Sequence, residues 1–377
     1  MEITVKQVTT KNELRKFAGF ANELYKGNKY YVPQIVSMEM DTLTPGKNHA
    51  FEVCESAYFL AYNPDGKIVG RIAAIINHRY NAKVNEKICR FGWIDFIDDR
   101  SVSEALFRTV ENYAREKGLD TVSGPMGFLE FDAAGVVVDG FDQLPTAYGK
   151  YNAPYYEKHI LDLGFEKEND YVEYLITIPE DQSLIDKYLR AAELVGQREN
   201  LHEAKIKNTK DIYKYVPEIF ALLNKCYSHL HGFSELSKGQ QDDLLKQFIP
   251  NMILDFVSVI LDENGKVVAF GISLPSLAKA LQKAGGRLFP FGFLHILRAM
   301  KKNDTLDLLL IGVDEKYKKS GVPSMIFAKV YQGIKKYGIK YLESTRELED
   351  NYSVQNLWKN FERRNHKRAR TYIKHLK

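Results

Sequence analysis

The sequence predicts a mixed α/β (α+β) protein in which two similar units, each built on a mixed sheet, follow one another along the chain. Three observations carry this. A strand, helix, hairpin, strand order runs from residue 3 to about 178 and begins again at 204, with the architecture repeated and the residues not. The 377 residues exceed what one hydrophobic core normally organises. A composition of 45% hydrophobic, 27% charged and 12% aromatic residues excludes disorder and collagen-like repeats.

The elements read in order as follows. A strand-like start at 3–8 leads into a helix over 11–25, where Leu14, Phe17, Phe20, Ala21 and Leu24 recur at helical spacing. The runs 57–62 and 67–77 flank Asn63-Pro64-Asp65-Gly66 and predict a hairpin, and 91–97 predicts a further strand. Ser101-Val102-Ser103-Glu104 has the spacing of a capping box and opens a helix that should stop at Gly118. A strand at 121–123, a long Gly- and Pro-dotted loop over 124–152, a short helix over 154–163 and a strand near 171–178 complete the first unit. We place domain boundaries at 1–180, a solvated linker helix at 181–200, and a second unit at 201–377.

The second unit repeats the order: a strand at 204–207, a helix over 211–228, a hairpin over 256–274 and an insertion over 275–302. A strand at 305–313, a turn at 317–323, a helix over 324–337, a strand at 340–344 and a helix around 353–364 follow. The insertion joins a helical stretch, the Gly285-Gly286 break, an apolar run over 288–297 and the cations Arg298, Lys301 and Lys302. It suits a lid over a lipophilic group, a surface lying on a membrane, or a helical hairpin packed on the sheet or on the first unit.

A net charge of +4 is too small for a protein held to nucleic acid by counterion release, so DNA is not an expected partner. Cys54, Cys89 and Cys226 are few and scattered, which fits a reducing cytoplasm and supports neither a disulfide framework nor a metal site. No signal-peptide pattern and no apolar run of membrane-spanning length is present. The basic run 363–370 is read as a solvated helix end and edge strand, or as a seat for an anion, ahead of a nucleic-acid contact.

The informative stretch is Leu308 to Pro323, a buried strand running through Lys318-Lys319-Ser320-Gly321-Val322-Pro323 into a helix. Backbone amides of a tight Gly-containing turn, the positive end of a helix dipole and two lysines favour a phosphate. Pro323 is an ordinary first helical residue that removes one amide from the cradle. A capped surface loop with two solvated lysines has the same sequence, and the tandem pattern favours the phosphate. The equivalent place in the first unit, Ile97-Asp98-Asp99-Arg100-Ser101, carries two carboxylates instead and opposes a phosphate.

This segment resembles the pyrophosphate-binding turn of the GNAT acyltransferase superfamily, Arg/Gln-x-x-Gly-x-Gly/Ala, with Lys in place of the first residue and Pro in place of the last. The whole chain resembles bacterial tandem-GNAT proteins of similar length through Tyr31-Val32-Pro33, the segments Gly124 to Phe128, Asp139 to Phe141 and Tyr151 to Tyr156, and in the second unit Gly286 to Gly292 and Leu348 to Asn351. The resemblance implies acetyl-CoA or another acyl-CoA as co-substrate, held by Ile311, Val313, Lys318, Lys319, Ser320, Gly321, Val322 and Ser324. It implies acyl transfer to a small-molecule amine or another, unidentified acceptor. A main-chain N–H of the strand around Ile311 and Val313 would polarise the thioester carbonyl.

Acyl transfer to an amine needs a neutral nucleophile and a proton for the leaving thiolate. Glu343 and Glu349 are the candidate bases. The superfamily's usual Tyr is replaced by Trp358, which cannot supply that proton, so Tyr352 is the candidate acid. Tyr227, His231, Phe233 and Asn351 are candidate acceptor contacts. Two alternatives stand beside this reading: transfer of a long-chain acyl or aminoacyl group from a carrier protein or tRNA, and an acyl-CoA-binding or interaction protein without catalysis, which Pro323 and Trp358 would suit.

Overall fold

Alternating apolar runs bounded by tight turns make the strands, and three- and four-residue apolar spacing makes the helices. The computed structural model describes residues 2–377. The first elements are β1 (Thr4–Gln7), α1 (Lys11–Leu24), α2 (Val36–Thr42), β2 (Cys54–Tyr62), β3 (Ile68–Asn77), α3 (His78–Val84) and β4 (Ile88–Phe96). They continue with α4 (Arg100–Glu116), β5 (Thr121–Gly124), β6 (Val136–Asp139), α5 (Tyr156–Asp162) and β7 (Glu166–Thr177). Next come α6 (Gln182–Glu199), β8 (His202–Glu203), α7 (Thr209–Ile212), α8 (Val216–Tyr227), α9 (Lys238–Phe248), β9 (Val257–Leu261) and β10 (Val267–Pro275). The chain closes with α10 (Ala278–Ala284), α11 (Gly292–Lys301), β11 (Thr305–Val313), α12 (Pro323–Tyr337), β12 (Tyr341–Ser344), β13 (Glu347–Leu348), α13 (Tyr352–Gln355) and β14 (Arg363–His375).

Packing divides the chain into two units that are not contiguous in sequence. Unit 1 holds the residues up to Val172, together with Leu277–Ile296 and His366–Lys377, and unit 2 holds Glu173–Ser276 and Leu297–Asn365. In unit 1 the strand order is β1-β2-β3-β4-β5-β14 and then the first half of β7. Neighbours β1 to β4 are antiparallel, and β4 runs parallel to β5. Helix α4 buries Val102, Leu106, Phe107, Val110 and Ala114 in one apolar cluster of this sheet, while Phe17, Met40 and Leu43 from the segment of α1 and α2 join another. Arg71 is fully buried and holds Asp95, with Nε to Oδ2 at 2.8 Å.

Unit 2 orders the second half of β7, then β12-β11-β10-β9-β8, with β11 and β12 parallel. Helices α6 and α12 pack on each other and bury Ile185, Val195, Ile326, Phe327, Val330 and Ile334 in one cluster. The α6 segment is therefore an amphipathic packing helix, where a solvated connector was expected.

Three further expectations change. The cap of α4 is Asp99, whose carboxylate accepts from Ser101 N at 2.8 Å, so the helix starts two residues before the expected Ser101 box. The helix expected over 353–364 is only the short α13 followed by strand. The basic run is neither a helix end nor an edge: β14 lies between β5 and β7, with Tyr372 opposite Gly124 and Lys374 opposite Val122. Three cations of β14 meet carboxylates distant in sequence, while Lys367 donates to the Leu144 carbonyl at 3.1 Å. Arg370 reaches Asp170 at 2.6 Å and Glu157 at 2.8 Å, Arg368 reaches Asp170 at 2.9 Å, and Lys374 reaches Glu111 at 2.6 Å.

The approach of this strand to the β6 turn needs a glycine. Gly140 has φ +81°, and a Cβ placed there would sit 2.2 Å from the His366 carbonyl oxygen. Gly140→Ala is expected to cost about 2–3 kcal/mol, read as a lower urea midpoint, because both the left-handed backbone and the main-chain clash oppose it. An unchanged midpoint would show that the two segments part freely.

Candidate active site

In unit 2, strands β11 and β12 separate toward their C-terminal ends. The two strands pair from Thr305 opposite Tyr341 to Leu308 opposite Ser344. Thr345 then closes the fork by donating its amide and its hydroxyl to the Leu308 carbonyl. Beyond it, Leu310 to Val313 pair only with β10, and Leu309 is an extra residue between the Ile272–Leu310 and Ser273–Leu308 pairs. A bulge of this kind bends the strand and frees its far edge for a ligand. Ile311 and Val313, the expected main-chain binders, lie on this edge. Tyr227, at the end of α8, donates to the Ile311 carbonyl at 3.3 Å, and Cys226 donates to the Val313 carbonyl at 3.3 Å.

The turn that follows β11 holds the residues expected to form an anion cradle, Lys318 to Ser324. Gly321 has φ +89°. Among the described residues, the amides of Lys319, Gly321 and Val322 find no acceptor in the protein, whereas those of Lys318, Ser320 and Ser324 are used within the turn. Lys319 is exposed, and Lys318 is ion-paired to Glu315 at 2.5 Å, which an incoming diphosphate would have to displace. Val322 and Ser324 face inward: Val322 is fully buried and the Ser324 hydroxyl is held by the Gly321 carbonyl at 2.8 Å. Arg198, from α6, donates to the Ser320 carbonyl at 2.7 Å and adds a third cation to the turn.

Of the expected catalytic residues, Glu343 is buried on β12 opposite Asp307 of β11. Glu349 is half-buried, and its main-chain carbonyl accepts from Gln355 at 3.1 Å. Tyr352 is 66% exposed at the head of α13. Trp358 packs edge-on against Phe361 and Phe327, which gives it a place in the core. Among the acceptor candidates, Phe233 is buried 6.0 Å from the Tyr227 ring, His231 is half-buried beside it, and Asn351 accepts the Ser353 hydroxyl at 2.7 Å.

The residue that sequence reasoning missed is Glu347, on β13 just past the fork. One carboxylate oxygen is held by the Ser344 hydroxyl, while Oε2 is buried without a hydrogen-bond partner. Burial pushes this carboxyl up to about 7, helped by the nearby Glu173 carboxylate and opposed by Ser344 and Arg363. Its surroundings are fixed. Ser344 Oγ accepts the Tyr174 amide at 2.9 Å, the Tyr174 hydroxyl donates to Gln355 at 3.2 Å, and Glu173 holds Arg346 at 3.2 Å. The available signal was the odd-numbered spacing of Glu343, Thr345, Glu347 and Glu349, which keeps one face through an extended segment.

Unit 1 contains the same parting of parallel strands, with β4 and β5 paired only from Ile88 to Arg90. Its free edge is already used: the Phe96 amide donates to the Tyr156 hydroxyl at 3.0 Å, and the Tyr155 hydroxyl donates to the Phe96 carbonyl at 2.5 Å. At the head of α4, Asp99 fills the cap and Asp98 is bound by His159 at 2.9 Å, so carboxylates stand where a phosphate would need amides.

No family model matches the chain. A relative from Escherichia coli (strain K12), Protein YghO, is 26% identical over 384 aligned residues, covering 99% of this chain and 95% of that protein. The bacterial ceramide synthase of Caulobacter vibrioides is 26% identical over 330, covering 85% of this chain and 82% of that one. Among solved structures, a tandem GNAT protein from the clavulanic acid biosynthesis pathway superposes with a TM-score of 0.55 at 10% identity, covering 99% of this chain and 98% of its own. A GCN5-related glucosamine N-acetyltransferase region of a fungal multi-domain β-N-acetylglucosaminidase gives 0.57 at 14% identity, covering 99% and 38%. The chain therefore has the fold of two GNAT units in tandem.

Proposed function

We propose that unit 2 is an N-acyltransferase site that takes an acyl-CoA in the fork between β11 and β12 and passes the acyl group to an amine. What supports this reading is the fork itself: β11 parts from β12 beyond Leu308, the Ile311 and Val313 carbonyls on its far edge are met by the Tyr227 and Cys226 side chains, the amide-bearing turn follows β11, and the half-partnered carboxyl of Glu347 stands three residues past the end of β12. In this reading the diphosphate sits on the amides of the exposed Lys319 and Gly321 with the Lys318 and Lys319 side chains beside it, and an amide of β11 polarises the thioester carbonyl. Glu347 takes the proton from the incoming ammonium. The neutral amine attacks the carbonyl carbon, the C–N bond forms, the C–S bond breaks, the attacking nitrogen releases its extra proton to water, and the thiolate collects a proton from Tyr352 or water. A carboxyl titrating near neutrality is suited to this task, because it is ionised often enough to accept a proton and basic enough to draw one.

The name of the Caulobacter relative points to the acceptor class. A ceramide is the amide of a long-chain amino alcohol, and its synthesis by N-acylation is the same bond-forming step. A lipophilic amine and a long acyl chain are therefore the substrates to try first, with acetyl-CoA as the comparison.

Thermal shift tests the donor site. A ligand present at 100 times its dissociation constant stabilises the native state by about 2.7 kcal/mol, a rise of roughly 5–10 °C in a unit of this size. The Lys318→Ala/Lys319→Ala double variant is expected to weaken acyl-CoA binding about 10- to 100-fold through two lost charge-assisted contacts. No shift with acetyl-CoA, a long-chain acyl-CoA or free CoA at millimolar concentration would remove the proposal.

A further inference from the structure

The insertion between β10 and β11 carries a concentration of exposed apolar surface. Phe289 is 77% exposed, Phe291 69%, Leu294 49% and Leu297 54%, and all four lie within nine consecutive residues. Isolated exposed leucines need no explanation, but two bare phenylalanines leading into an amphipathic helix do. On α11 the exposed Leu294, Leu297 and Lys301 recur at helical spacing along one side, while Phe293, Ile296 and Met300 are partly covered.

The segment is also held in place. Gln282 of α10 donates to the carbonyls of Lys29 and Tyr31 at 2.9 Å each. Gly286 packs so closely that a Cβ there would meet the Asn22 amide nitrogen at 2.6 Å, and one at Gly292 would meet the Arg287 carbonyl oxygen at 1.9 Å. The two phenylalanines thus project from a turn with fixed ends.

The charge around them is of one sign. From Leu277 to Asn303 the chain carries Lys279, Lys283, Arg287, Arg298, Lys301 and Lys302 and no Asp or Glu, so the chain outside this stretch is net acidic. All six cations are exposed. A protein partner would commonly present both signs, whereas bare aromatic and leucine side chains beside unbalanced cations complement one kind of surface: apolar beneath and anionic at the top.

We infer that the turn at Phe289–Phe291 and the exposed side of α11 form a peripheral membrane anchor that seats on anionic phospholipid bilayers. The phenylalanines and leucines enter the headgroup boundary, and the arginines and lysines meet the lipid phosphates. No helix of the described residues is long and apolar enough to cross a membrane, so the attachment is reversible and lies in the plane of the interface. This assignment stands apart from the acyl-transfer reading, since it uses none of the residues of the fork.

Flotation of the full chain with vesicles tests it. Vesicles of phosphatidylcholine and phosphatidylglycerol at about 7:3 are expected to carry the protein at low salt at least tenfold better than phosphatidylcholine alone, and 0.5 M salt is expected to remove most of that preference. The Phe289→Ser/Phe291→Ser variant should lose binding at least tenfold. Arg298→Glu and Lys301→Glu should each weaken it about fivefold or more, the change expected for one basic residue at the surface. Circular dichroism and the melting temperature should match the parent for every variant, because all four side chains are exposed. Absence of binding to the anionic vesicles overturns the assignment. So does undiminished binding of the double-Ser variant, or light scattering that shows a dimer dissolved by those same substitutions while vesicles carry no protein.

Discussion

Glu347→Gln is expected to lower turnover at least a hundredfold while raising the melting temperature. The first effect follows from the base role, since a positioned proton acceptor contributes about 10²- to 10⁴-fold and the amide cannot accept. The second follows from the cost of the buried carboxyl. The unfolded chain ionises Glu347 from about 4.5, whereas the folded protein keeps the proton up to about 7. Unfolding between these values releases a proton, so the native state loses stability as pH rises through the window, and the loss is complete above it. At pH 8 the Gln variant should be more stable by about 3 kcal/mol, roughly 6–12 °C.

The parent's turnover should rise with pH through about 7, and the residual activity of the variant should lack that step. A variant that keeps full turnover excludes Glu347 as the base, while Glu343→Gln and Glu349→Gln measured beside it show whether another carboxylate serves. A variant that loses both activity and stability assigns Glu347 to packing.

Asp170→Ala should destabilise unit 1 by about 3–5 kcal/mol. Asp170 is 2% exposed and is shared by Arg370, Arg368 and Lys167, so its removal strands cations along β14. Burial alone would raise its carboxyl, but the hydrogen bonds from Arg370, Lys167 and Arg368 prevail and hold it well below its ordinary value of 3.8. Its contribution is present above that value and is lost as pH falls below it, so the parent should lose stability steeply in acid while the Ala variant shows a flatter profile. Urea denaturation at several pH values reads both. A loss under 1 kcal/mol at pH 7 would show that the cations find other partners.

The sequence made the second unit's strand, turn and helix legible because their signals are local. Leu308 to Val313 is an apolar run, Gly321 marks a left-handed turn, and Pro323 starts a helix, and each stands where expected. The first hairpin was legible for the same reason. Residues 363–370 were not: the run looks solvated, yet Arg368 and Arg370 find Asp170 and Glu157 about two hundred positions away. The cap of α4 was missed by two residues because Asp99 and Ser101 are both good caps, and only the turn geometry chooses between them. Glu347 escaped because its spacing from Glu343 and Glu349 is legible in the sequence but does not tell which of the three carboxyls is left desolvated. Whether Glu343, Glu349 and Glu347 differ in role depends on which carboxylate points into the fork, a matter of strand register.

The placement of β14 in unit 1 bears on how the protein is made. As the chain leaves the ribosome, the unit that starts first is finished last, since its sheet waits for residues 366–377 while all of unit 2 is translated. At ordinary elongation rates the gap of about 200 residues corresponds to roughly 10–40 s during which β5 and the start of β7 present unpaired edges to the cell. A nascent chain therefore has open sheet edges to keep apart for as long as unit 2 is being made.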